Sequence, residues 1–221
     1  MQAVIFGASG MVGQGVLREC LLDPAVEQVV SVVRSATGQS HEKLREIVHG
    51  DFMDFSGIEE ELAGFDVCFF CLGVSSAGMT EADYTRVTYD ITMAAARTLV
   101  KASPGMTFEY ISGTGTDSSE KGRSMWARVK GRTENALLKL PFRAAYMFRP
   151  GFIQPLHGIK SKTKAYRTFY AVTKPVQPVM QAAFPQYVTT TERLGRAMIT
   201  VARHGYPKRV LEMKDINSLE V

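Results

Sequence analysis

The segment Gly7-Ala8-Ser9-Gly10-Met11-Val12-Gly13 constrains this 221-residue chain more than any other part of it. Residues 2–6 before it form an apolar run of strand length. After it, Val12, Val16, Leu17, Cys20 and Leu21 recur at helical spacing until Asp23-Pro24. A GxxGxxG spacing alone is common, but between a strand and a helix it has a physical task. Gly7 can take a backbone conformation closed to residues with a side chain. Gly10 lets the main chain approach a diphosphate, and Gly13 lets the helix lie close to the sheet. Main-chain amides at the helix start, including those of Met11 and Val12, then face the anion with the helix dipole behind them. Ser9 adds a hydroxyl. The plainer alternative is a glycine-rich turn that only packs.

The rest of the chain continues the rhythm. Strands are expected over residues 28–33, 46–49, 66–72, 107–112 and 144–148, and helices over 81–101 and 123–140. Strand and helix in alternation imply right-handed crossovers, and therefore a doubly wound parallel sheet in a three-layer α/β/α Rossmann arrangement. Beyond Gly151 the rhythm loosens, with helices expected over 161–174 and 192–203 and a last strand over 209–213. The expected organisation is one domain, 1–221. In it, 1–150 is a dinucleotide-binding core, and 151–221 completes the fold and lines a substrate cleft on its small C-terminal side.

The end of the second strand decides between dinucleotides. An acid there binds an adenosine ribose diol and selects NAD. From residue 28 to residue 41 there is no Asp or Glu, and Arg34 follows Val32-Val33. A guanidinium at this place pairs with the 2′-phosphate of NADP and stacks on adenine. NADP(H) is therefore expected over NAD(H), the alternative being a merely solvated arginine. Asp51-Phe52, after the third strand, is placed to read the adenine edge through the carboxylate and the Phe52 main chain; a plain loop is the alternative. Leu72-Gly73 ends the fourth strand, where ligands of parallel sheets gather.

Composition excludes several classes. With 26 Lys+Arg against 22 Asp+Glu the net charge is +4, but no basic run exceeds two residues, so a nucleic-acid stripe is not expected. The long uncharged stretch over residues 175–191 holds three prolines, so no membrane span is expected there. The first residues lack the basic flank of a secretion signal. Three cysteines are too few for a disulfide framework. A cytoplasmic protein is the expectation. Cys68 and Cys71 have redox or zinc spacing, but within a strand they point to opposite faces. The four histidines are scattered, so no metal site is expected.

Taken together, Gly7–Gly13, Asp51-Phe52, Tyr110-Ile111-Ser112, Val129-Lys130-Gly131 and Arg149-Pro150-Gly151-Phe152-Ile153 resemble the short-chain dehydrogenase/reductase superfamily. The resemblance is to its atypical branch of Tat-interacting-protein-like, NmrA-like and epimerase/dehydratase-like members. It implies a serine after the fifth strand, matched by Ser112 with Thr114 and Thr116 behind it. It also implies a Tyr-x-x-x-Lys pair on the next helix, whose tyrosine moves a proton and whose lysine holds the nicotinamide ribose. Lys130 matches the lysine. Trp126 stands where the tyrosine belongs, and indole is no practical proton shuttle. The resemblance further implies that Pro150, Gly151, Phe152 and Ile153, after the sixth strand, are cofactor-side residues. A second Tyr-x-x-x-Lys, Tyr170 and Lys174, falls in the wrong place for the pattern, although Tyr166 or Tyr170 could line a pocket.

The expected function is thus an NADP(H)-binding oxidoreductase-like protein that reduces a small carbonyl or enone substrate. Ser112, Lys130 and Trp126 are its candidate catalytic positions. The competing expectation is a non-catalytic sensor of NADP(H) redox state that acts through a protein partner, as a monomer or a homodimer.

Overall fold

The computed structural model describes residues 1–159 and 187–219. Strands β1 (Gln2–Phe6), β2 (Gln28–Val33), β3 (Leu44–Val48), β4 (Val67–Phe70), β5 (Thr107–Ile111), β6 (Ala144–Arg149) and β9 (Val210–Glu212) form one sheet. Their order is β3-β2-β1-β4-β5-β6-β9, with every neighbouring pair parallel. Strand order reverses between β1 and β4, the switch point at which doubly wound sheets bind ligands.

Alternation along the strands builds a core on each face. Val4, Phe6, Phe70, Phe108, Tyr110 and Met147 face one side, under α3 (Ile91–Ala102) and α4 (Met125–Leu137). Ala3, Ile5, Phe69, Tyr146 and Phe148 face the other, under α1 (Met11–Leu22) and α5 (Thr191–His204). Both faces are covered, which is why the central strands read as unbroken apolar runs. The helices α1 and α5 cross closely at Gly15, where an added Cβ would come within 2.8 Å of Thr191. Buried Glu19 accepts from Arg196 Nε at 3.0 Å beside that crossing.

Three features depart from the sequence reading. The helix expected over 81–101 is α2 (Glu81–Thr85), a π-helical turn (Arg86–Asp90) and α3. Within the wide turn, Arg132 of α4 lies 4.4 Å over the Tyr89 ring. The helix expected over 123–140 begins after the N-cap Ser124 and ends before Pro141, whose ring disfavours helix in the residue before it. Finally, β7 (Phe152–Gln154) and β8 (Val188–Thr190) form a separate parallel pair, and α6 (Met213–Ser218) follows β9. The helix expected over 161–174, with Tyr166, Tyr170 and Lys174, lies outside the described residues.

Candidate functional site

All seven parallel strands of the sheet deliver their carboxyl ends to one edge, and nearly every candidate residue lies there. The glycine turn is built from close approaches. Gly7 has φ +84°, and a Cβ on it would stand 2.7 Å from Leu72 N, so the turn is pressed against the end of β4. A Cβ on Gly13 would meet Gly7 O at 2.1 Å, which seats α1 on the turn. Gly10 N donates to Gly7 O at 2.9 Å and Gln14 N to Gly10 O at 2.8 Å. Gly10 is the N-cap, with no side-chain cap and no acid in the first turn of α1. The amides of Met11, Val12 and Gly13 therefore meet no side-chain acceptor among the described residues, an arrangement that suits an anionic ligand.

Beside this turn is a groove of about 310 Å³ lined by Ser9, Gln14, Arg34, Ser35, Thr37 and Gln39. Arg34 is exposed and makes no ion pair among the described residues. One acid does come near the groove: pairing of β2 with β3 sets Glu46 opposite Ser31. Its carboxylate accepts the Thr37 amide at 3.0 Å and the Thr37 hydroxyl, which ties down the loop. The sequence window that ended at residue 41 could not show this contact.

At the end of β3, Asp51 accepts the Met53 amide at 2.8 Å, which fixes a turn. The Phe52 ring is buried against Phe6, 6.5 Å away edge-on, and Phe55, 5.5 Å away. Its side chain belongs to the core, leaving only its main chain for the edge. Leu72 is half-buried and Gly73 exposed at the end of β4.

The far side of the edge holds the candidate chemistry. Lys130 Nζ donates to Ser112 O at 2.6 Å and to Ile111 O at 3.3 Å, which pins α4 to the end of β5. Burial of the ammonium pulls its pKa down to about 8, and Glu134 partly offsets this. Trp126 is half-buried one turn earlier, with its ring edge 3.5 Å from where a Cβ of Gly115 would be. Ser112 is buried, and its hydroxyl turns inward to Glu134 Oε1 at 2.5 Å and Phe148 O at 3.1 Å. Thr114 donates to Arg149 O at 3.0 Å, and Thr116 to Gly113 O at 2.7 Å.

Sequence reasoning missed the buried network behind these groups. Glu134, fully buried, takes Arg149 Nε at 3.0 Å and Arg149 Nη2 at 2.5 Å. The same guanidinium reaches Glu212 at 3.0 Å and Ser118 Oγ at 2.5 Å. The network joins α4, β6, the loop after β5 and the start of α6. One sequence signal existed: Glu134 lies four residues after Lys130, on the same helical face. After β6, Pro150 O accepts the Thr114 amide at 3.0 Å, and Gly151 is close-packed between Thr114 and Tyr187. Phe152 is half-buried, whereas the Ile153 side chain is buried in the α1/α5 core. Cys68 and Cys71 contribute to opposite cores, as their spacing implies, and burial pushes both thiols up in pKa. His157, in the loop after β7, meets Glu192 Oε2 at 2.5 Å.

A doubly wound sheet with an uncapped glycine turn at its switch point defines a nucleotide-binding Rossmann protein. The family model described as NAD(P)H-binding matches residues 7–130, and this chain belongs to that family, as an atypical short-chain dehydrogenase/reductase-like member. Among curated relatives, "Protein FMP52-2, mitochondrial" of Scheffersomyces stipitis is 30% identical over 68% of this chain and 66% of its own length. "Protein HTATIP2" of Rattus norvegicus is 30% identical over 67% of this chain and 61% of its own. The matches thus span somewhat less than two thirds of either relative. Among solved structures, Gre2 of Candida albicans in complex with NADPH superposes with a TM-score of 0.72 at 12% identity, over 96% of this chain and 78% of that one. Among the described residues no helix is long and apolar enough to cross a membrane.

Proposed function

We propose that this protein is an NADP(H)-dependent reductase of a small carbonyl or enone substrate. The observation that carries the cofactor choice is Arg34, exposed in a groove beside the uncapped start of α1, with the nearby Glu46 held by Thr37. A 2′-phosphate in that groove would gain a charge-assisted bond from the guanidinium. The first-turn amides of α1 would hold the diphosphate, and Ser9 adds a hydroxyl. The main chain at Phe52, with Asp51, would border the adenine. Leu72, Gly73 and the 150–153 segment would flank the nicotinamide end, with Lys130 beside it. The bound cofactor would supply hydride from its nicotinamide ring. The chain would position the substrate against it and manage the proton.

Arg34→Ala tests the cofactor reading. Calorimetry should show NADPH binding weakened by about 1.5–3 kcal/mol, with NADH binding nearly unchanged. An equal loss for both would remove the reason to prefer NADP(H). NADPH oxidation followed against small aldehydes, quinones and enones tests the reductase reading.

A second reading has its own support. Trp126 in place of an ionisable residue, with the nearby hydroxyls turned to protein acceptors, suits a protein that binds NADP(H) and reports its redox state to a partner. Tight NADPH binding, no turnover and a co-purifying protein that leaves when the cofactor is oxidised would favour it.

A further inference from the structure

We propose that Lys130 is the proton donor of the reduction, its ammonium group protonating the substrate oxygen as hydride arrives at carbon. This rests on the reductase reading above. The observation behind it is where the hydrogens go at the ends of β5 and β6. Ser112, Thr114 and Thr116 each carry one hydroxyl hydrogen. Each faces a protein acceptor: Glu134 for Ser112 at 2.5 Å, Arg149 O for Thr114 at 3.0 Å and Gly113 O for Thr116 at 2.7 Å. Trp126 has an indole N–H that does not ionise near neutral pH. Lys130 has three hydrogens. Two point at Ser112 O and Ile111 O, and the third has no acceptor among the described residues.

Its surroundings favour release of a proton. Burial disfavours the ammonium, and the lysine is held at about 8. The groups that face it are few. Glu134, on its own helix, attracts the charge. Arg149 from β6 is paired with that same carboxylate and weakens its pull. The Tyr110 ring of β5 lies 5.6 Å from Nζ, with Tyr84 of α2 near that phenol. Lys130 is thus mostly charged at neutral pH, yet loses its proton more readily than an exposed lysine.

The step balances. The carbonyl carbon receives a hydride, with its two electrons, from a reduced nicotinamide. The C=O π pair moves to oxygen. The Lys130 N–H bond breaks, its proton bonds to that oxygen to give the alcohol, and the neutral amine regains a proton from solvent.

The test uses full-length protein, NADPH and three probes: 4-nitrobenzaldehyde, phenylglyoxal and cyclohexenone. Wild-type kcat should fall about tenfold per pH unit above a midpoint near 8. Lys130→Arg, which keeps the charge but cannot titrate, should lose at least about 100-fold in kcat while its NADPH dissociation constant moves far less. Lys130→Ala should regain kcat with added methylammonium. One readout needs no turnover. Trp126 is the only tryptophan of the chain and stands one turn from Lys130. Its emission in the cofactor-free protein should titrate near pH 8 in wild type and not in Lys130→Arg.

Two results would overturn the proposal and leave the reductase reading intact. One is a wild-type kcat that stays flat from about pH 6.5 to about 9.5, a result that needs no variant to fold. The other is Lys130→Arg turning over within tenfold of wild type. A wild type that binds NADPH but reduces none of the probes would end the proposal and the reductase reading together.

Discussion

Glu109 sits in the middle of β5, between Phe69 of β4 and Tyr146 of β6, with no exposure and, among the described residues, no hydrogen-bond partner for either oxygen. Nothing in the structure explains a carboxyl there. Burial pushes its pKa well above the usual carboxylate range, which favours the neutral acid in the folded state. The unfolded chain releases that proton above about pH 4.3. Folding then takes up a proton. The stability associated with the protonated acid is therefore complete below that pH and declines as pH rises toward the raised folded value, by up to about 1.4 kcal/mol per pH unit. Glu109→Met should remove this dependence. Urea midpoints should show the variant more stable than wild type at pH 7.5, with the difference closing toward pH 4.5 (a gap independent of pH would show that ionisation is not its cause). Burial also pushes up the three thiols, so alkylation of Cys20, Cys68 and Cys71 in the folded protein should be slow.

Helix α4 supplies the next scale, because it carries Trp126, Lys130 and Glu134 and packs tightly on the loop after β5. A Cβ on Gly131 would stand 1.8 Å from Asp117 O. Gly131→Ala must lift the loop, and with it Ser118, off the helix. A loss of about 1–3 kcal/mol is expected in chemical unfolding. Gly57→Ala, in an exposed turn with nothing within 4 Å, should stay within about 0.5 kcal/mol and serves as the control. This element also shows what the sequence could and could not disclose. The strand–turn–helix around Gly7 was legible because its signals are local: an apolar run, then glycines at fixed spacing, then a helical period. Lys130 was legible from a motif on a single helix. The Glu134–Arg149–Glu212 network was not, because its members lie on α4, β6 and β9 and meet only once β5, β6 and β9 are in register. The π-helical turn at Arg86–Asp90 was not legible either, since one added residue per turn leaves the apolar pattern of a helix nearly unchanged. Strands β7 and β8, of three residues each, are too short to carry a period.

At the scale of the molecule, the candidate cofactor path runs from Arg34 at the end of β2, past the switch point between β1 and β4, to Lys130 against β5. A ligand on that path touches elements on both sides of the switch point, and it binds only when they are assembled. Its binding free energy should therefore add to folding stability, by about 2.7 kcal/mol at a hundredfold excess over Kd. For a domain of this size that corresponds to a rise in Tm of roughly 5–10 °C. NADP+ should reach it at concentrations where NAD+ gives a small shift, because only the former presents a 2′-phosphate to Arg34. Arg34→Ala should bring the NADP+ shift down to the NAD+ shift while leaving the ligand-free Tm within about 1–2 °C, since the side chain is exposed and makes no ion pair among the described residues. Thermal scans of both proteins with each coenzyme separate the outcomes. If the variant keeps the NADP+ preference, the guanidinium does not supply it. If neither coenzyme moves Tm in wild type at millimolar concentration, the first turn of α1 does not hold a diphosphate.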